Sequence, residues 1–196
     1  MLFRSAEAIC EAVSRPSMRF VPIKSVTQQA VLTLHRVRLG FIEERTATIN
    51  RVRGLLAEFG VVLPQRAIEV RRGAALALER LPAQAVRAVR DLLEHIHLLE
   101  ERILSYEQEL QVHARTDERA QRIQQLIGIG PVTSSAIVAS VAEAREFSNG
   151  RQFAAWLGLV PRQYSTGGKV RLGRITGQGD PYLRTLLMNR DRKSVV

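Results

Sequence analysis

The sequence predicts a mainly α-helical protein. It reads as a long coiled-coil-like helical hairpin followed by a small helical domain with a helix-hairpin-helix-like element and a Gly/Arg-rich loop. Three observations predict this. Residues 82–113 carry apolar side chains at alternating steps of three and four. Aromatic residues make up only 5% of the chain against 45% hydrophobic residues, which suits packing by Leu, Val, Ile and Ala along helices. Pro is absent from residues 25–59, so a long helix is possible there.

Residues 25–59 read as one helix, with Ser25 as its cap. Leu34, Phe41, Ile42, Ile49, Val52, Leu56 and Phe59 form its apolar face, and Gly60 and Pro64 end it. Residues 65–80 read as a shorter helix with Gly73 as a soft point. In 82–113 the stripe is Val89, Leu92, Ile96, Leu99, Ile103, Tyr106 and Leu110. Such a seam must pair with another helix. The partner is either residues 25–59, as an antiparallel hairpin, or a second copy of the chain.

The pattern changes near 114–118. Residues 119–127 are helical, Gly128-Ile129-Gly130-Pro131 breaks them, and 132–144 and 150–158 read as further short helices. From Leu159 to Gly179 there is no helical period, and a last helix is expected over 180–189. The expected division is 1–24, a lead-in; 25–117, the coiled-coil region; 118–190, the C-terminal domain; and 191–196, a divergent tail.

Charge narrows the function. The chain is formally +10 at neutral pH. Residues 161–196 hold eight basic against two acidic side chains, whereas 82–119 hold five against eight. A positive excess of this size favours a polyanion. Cys10 is the only cysteine, so a disulfide within the chain and a metal site of four cysteine ligands are excluded, and a reducing cytoplasm fits. No apolar run approaches the ~18 residues of a membrane span.

Two segments can carry chemistry. In Leu126-Ile127-Gly128-Ile129-Gly130-Pro131-Val132-Thr133, Gly128 and Gly130 allow a tight turn and Pro131 suits a first helical position. The free N–H groups near Thr133 then offer a phosphate site, with Ile127 and Ile129 packing inward. An ordinary tight turn is the competing reading. In residues 161–179, Ser165 and Thr166 precede Gly167 and Gly168, and Arg162, Lys169, Arg171 and Arg174 supply cations. Positive charge near a serine hydroxyl stabilises attack on phosphorus. A basic turn that only contacts phosphate is the competing reading, because no general base lies nearby in sequence. Asp180 and Pro181 start the last helix, Leu183, Leu186 and Leu187 are its buried side, and Arg184 is available to the loop or to DNA.

These blocks, with Arg151-Gln152-Phe153-Ala154-Ala155-Trp156-Leu157-Gly158-Leu159-Val160 between them, resemble the C-terminal domain of the IS110 family of insertion-sequence transposases, and within it the IS1111 branch. The similarity runs from about Ala6 to about Met188. It implies DNA as partner, with a structured guide RNA in some members. It also implies Ser165 as nucleophile candidate, with Thr166 where some members place the serine.

The family joins this domain to an N-terminal RuvC-like domain with four acidic metal ligands. The chain opens at Met1-Leu2-Phe3-Arg4-Ser5, where that domain would finish, so those ligands are expected to be missing. Mg²⁺ is expected only with the acidic domain, and this chain is expected to be inactive alone. It would pair, through residues 82–113, with itself or with a full-length transposase. A non-catalytic DNA-binding regulator is the alternative. A purely structural coiled coil is disfavoured by the glycine-rich block.

Overall fold

The computed structural model describes residues 2–18, 22–141 and 143–188. The expected tail, 191–196, lies outside them. Among the described residues there are eight α-helices and one two-stranded antiparallel ribbon. The helices are α1 (Leu2–Ser14), α2 (Val26–Glu58), α3 (Ala67–Ala77), α4 (Ala83–Thr116), α5 (Glu118–Gln124), α6 (Pro131–Ser140), α7 (Gly150–Trp156) and α8 (Pro181–Met188). The strands are β1 (Pro161–Gln163) and β2 (Leu172–Ile175). None of the described helices is long and apolar enough to cross a membrane.

α2 starts as its sequence dictates. The Ser25 hydroxyl accepts from the Gln28 N–H at 3.1 Å, and the Gln28 side chain accepts from the Ser25 N–H at 3.0 Å. This reciprocal cap satisfies two donors that the first turn would otherwise leave free. α2 and α4 then pack antiparallel. Val52 and Leu56 meet Val89 and Ile96 at one end, and Val31 meets Leu110 at the other. Of the two partners the seam could take, it takes the one within the chain. Val89, Ile96, Leu99, Ile103 and Leu110 are buried, and Tyr106 sits edge-on to Phe41 at 5.7 Å.

α3 closes the loop end of the hairpin with Val70, Ala74 and Ala77. Gly73 is more than a soft point. A Cβ there would fall 2.5 Å from Leu63 Cδ2, so the bare position makes room for that side chain. Phe59, expected on the apolar face, lies past the last turn and is 47% exposed.

The chain breaks at Asp117, which leaves helical geometry and caps α5 by accepting from Arg119 and Ala120 N–H. Hydrogen bonding to Arg119 holds the Asp117 carboxyl below the usual carboxylate range. α6 crosses this boundary in space. Ser134 through Ala139 are buried, and α6 packs against α2, α4 and α5. Gln28 of α2 donates to the Val138 and Val141 carbonyls at 3.2 Å each. A small second core gathers Ala136, Ile137, Leu157 and Leu183.

Candidate nucleic-acid interface

The Gly/Arg-rich segment is not a structureless loop. It folds as a β-ribbon, Pro161 pairing with Ile175 and Gln163 with Leu172, with a bulge between. The turn explains why. Gly167 and Gly168 have φ of +58° and +80°, and Thr166 bridges Lys169, whose N–H donates to the Thr166 carbonyl at 3.1 Å. Two positive φ values in succession give the turn whose twist matches a hairpin, and glycine enters that region without strain. The period-two pattern is hidden from sequence because both faces are exposed and mixed in character.

Two glycines fix the root of the ribbon. Gly158 has φ +73°, and a Cβ on it would fall 2.7 Å from the Gly179 nitrogen. A Cβ on Gly179 would fall 2.3 Å from the Trp156 carbonyl oxygen. The two backbones therefore cross in direct contact. Gly177 N–H donates to Gly158 O at 3.0 Å and Thr176 N–H to Val160 O at 2.9 Å. Arg184 works at this root. Its guanidinium donates to Leu157 O at 3.1 Å and Gly179 O at 3.5 Å, and it is half-buried. Asp180 caps α8 as expected, accepting from Tyr182 N–H at 2.8 Å.

The structure therefore brings Arg162, Ser165, Thr166, Gly167, Gly168, Lys169, Arg171 and Arg174 onto one ribbon, every one of them exposed. Residues 161–179 contain no acid. Among the described residues, none of these four cations has a carboxylate within salt-bridge distance. Arg162 donates to Thr176 O at 3.3 Å. The Ser165 hydroxyl accepts from Gln163 Nε2 at 2.9 Å, and no described acid or imidazole bonds to it. No described group of three or more His, Cys, Asp or Glu side chains could hold a metal ion.

The second sequence-predicted segment is the α5–α6 turn. Gly128 has φ +85°, Gly130 caps α6, and the first intrahelical bond runs from Ser134 to Gly130. The N–H groups of Val132 and Thr133 precede that bond. Ile129 packs into the second core, but Ile127 is 89% exposed. The expectation that both pack inward is corrected: the Gly128 turn reverses the chain and leaves Ile127 at its tip.

Sequence reasoning missed a buried polar layer that seats the second core on the hairpin. His35 is 1% exposed, with Nδ1 2.9 Å from the Tyr182 hydroxyl and Nε2 3.1 Å from Ser135 Oγ. His113 Nδ1 is 3.0 Å from the same Oγ. Ser135 has one proton and stands between two imidazoles, so at least one of the rings donates to its oxygen. Burial first, then Arg38 and His113, push the His35 pKa down to about 4, so the ring is neutral near pH 7. Burial holds the Tyr182 phenol above its usual range. Beside them Arg38 donates to Glu107 at 3.1 Å. With Ser135 fully buried, this layer joins α2, α4, α6 and α8 in the interior.

The signal was present. Val31, His35, Arg38, Ile42, Arg45, Ile49, Val52 and Leu56 step by alternating fours and threes once polar residues are allowed on the seam.

The helical body holds out an acid-free, cation-bearing ribbon, a surface whose charge complements a polyanion. Comparison with known sequences carries this further. The model of the family described as "Transposase IS116/IS110/IS902 family" matches residues 120–194. The chain is 51% identical to a "Probable family 20 transposase" of Pseudomonas aeruginosa, over 97% of this chain and 58% of that protein. It is 43% identical to the transposase for insertion sequence element IS1328 of Yersinia enterocolitica, over 95% of the chain and 56% of that protein. It is 40% identical to the transposase for insertion sequence element IS1111A of Coxiella burnetii, over 95% and 52%. The chain belongs to the IS116/IS110/IS902 transposase family. It spans about half the length of the curated relatives it matches.

Proposed function

We propose that this chain is the DNA-engaging part of an insertion-sequence transposase, with the ribbon as its contact surface and Ser165 as the candidate nucleophile. The observation that carries this reading is the ribbon itself: exposed, acid-free, and presenting Ser165 and Thr166 at a Gly-Gly turn beside Lys169. Arg162, Lys169, Arg171 and Arg174 neutralise phosphates, while Gly167 and Gly168 let the backbone come close. Gly128, Gly130 and Thr133 at the start of α6 are a second, sequence-independent phosphate contact.

If Ser165 acts, its oxygen forms a bond to phosphorus and one bridging P–O bond breaks. The hydroxyl proton then needs a base and the leaving deoxyribose oxygen needs a proton; the described partner of the Ser165 hydroxyl, Gln163, meets it through a donating amide N–H and supplies neither. This favours a chain that binds DNA but completes no chemistry alone, acting beside a full-length transposase. It equally supports the second reading, a non-catalytic DNA-binding regulator. A structured guide RNA remains a partner implied by the family alone.

The deciding experiment incubates the chain with element-end DNA and Mg²⁺, with and without a full-length relative whose own serine is replaced. A denaturant-stable link between this chain and DNA is expected only in the mixture, and Ser165→Ala abolishes it. If Thr166→Ala abolishes it instead, the neighbour is the nucleophile. No link in either case leaves the regulator reading.

A further inference from the structure

We propose that Tyr164 is a stacking platform for a single unstacked nucleobase of DNA, held ready by Gly173 and flanked by Arg162 and Arg171. The inference rests on the DNA-binding reading and sharpens what the ribbon holds. Gly173 does not have a positive φ, so no turn demands glycine there. What its missing side chain provides is room. A Cβ at 173 would stand 3.1 Å from Tyr164 Cε2, with the Arg162 backbone oxygen and Cβ next at 3.6 and 3.7 Å. The ring therefore lies against bare backbone of the opposite strand, on the face that Arg162 shares. Tyr164 N–H donates to Arg171 O at 2.8 Å, which fixes the ring's anchor. Even so, the residue is 62% exposed. One side of the ring rests on the ribbon and the other is open.

The chemistry of the surroundings selects the ligand. An aromatic plane on a ribbon with four cations and no acid suits a partner that is polyanionic and also has flat apolar faces. Nucleic acid has both, and stacking on an aromatic side chain is tolerant of base identity. The faces of paired bases are covered within a duplex, so the ligand is a base taken out of the stack. DNA is favoured over RNA by the shape of the duplex that flanks such a base. A two-stranded ribbon enters the major groove of B-form DNA, which is about 12 Å wide, but not the deep, narrow groove of A-form RNA.

The test uses a short DNA carrying 2-aminopurine, unpaired in one strand, with fluorescence and affinity read together on the full chain. Binding of the unsubstituted chain is expected to change the 2-aminopurine signal. Tyr164→Ala is expected to remove that signal and to weaken binding about tenfold, the equivalent of one stacked base. Tyr164→Phe keeps both. Gly173→Val, which displaces the ring without deleting it, reproduces the loss. Circular dichroism confirms that each variant folds.

An unchanged signal and affinity in Tyr164→Ala overturns the inference, as does tighter binding to the matching RNA. Failure of the underlying reading looks different. If affinity for DNA does not fall with salt, phosphate binding by the ribbon is itself wrong; if it falls steeply and Tyr164 is indifferent, only the stacking role is lost.

Discussion

The α2–α4 hairpin and the β1–β2 ribbon are opposite solutions to the use of a sequence. In the hairpin, apolar residues meet across a seam, and Leu56, Ile96, Leu99 and Leu110 are wholly or almost wholly buried. In the ribbon, Tyr164, Val170, Leu172 and Ile175 are all left exposed among cations. Burial of apolar surface is the main favourable contribution to folding, so stability is concentrated in the first region. The second contributes little to stability, and that frees its side chains to meet a partner. Substitutions in the two regions should therefore separate folding from binding.

The largest expected effect lies where the regions join. Gly179→Val forces a side chain into the Trp156 and Leu157 backbone, which cannot move aside as a flexible side chain would. We expect a loss above about 4 kcal/mol and disruption of the second core, seen as loss of cooperative unfolding and of Trp156 fluorescence change. Leu99→Ala in the seam is next, at about 2–5 kcal/mol by denaturant titration. If it unfolds the ribbon's function no more than its stability loss predicts, the division between regions holds.

Acid comes third. The folded state holds the His35 pKa down to about 4 from 6.5, so the unfolded chain takes up that proton first as pH falls. Its contribution to stability is fully present above pH 6.5 and is lost progressively toward pH 4, by up to about 3 kcal/mol. The groups facing the ring are Arg38, His113, Ser135 and Tyr182, and His35→Asn should flatten this limb of the pH–stability curve. The smallest effect on stability is expected from Lys169→Ala and Arg171→Ala, within about 0.5 kcal/mol of the parent. Each should still weaken DNA binding and lower the salt slope by about one. A stability loss above that from either variant would break the comparison.

The same contrast explains what could be read beforehand. Helices announce themselves by period: Val89 through Leu110 and the Ser25 cap place α4 to within three residues and α2 to within one. The ribbon has period two, but neither face is buried, so hydrophobicity does not alternate and the segment looked irregular. Ser165, Thr166 and the four cations were legible as a group because they lie close in sequence. The polar layer was not, because His35, His113, Ser135 and Tyr182 come from four separate helices. A polar residue on a predicted seam is also normally discounted. Arg184 was recognised as a cation, but its use on the Leu157 and Gly179 carbonyls depends on a backbone crossing that no local pattern encodes. Ile127 was misplaced for the reverse reason: the turn at Gly128 overrides the preference of an aliphatic side chain.

That polar layer also settles alignment. A stripe made only of aliphatic residues can slide by one repeat and remain covered, so it specifies contact but not phase. His35 must find Ser135 and Tyr182, and Arg38 must find Glu107; a slid hairpin would strand them without partners in an apolar seam. Because Ser135 belongs to α6 and Tyr182 to α8, the layer sets the position of both helices against the hairpin. The ribbon grows from the crossing just before α8. Its direction is therefore indexed, through four hydrogen-bonding side chains, to a helix that begins more than a hundred residues earlier.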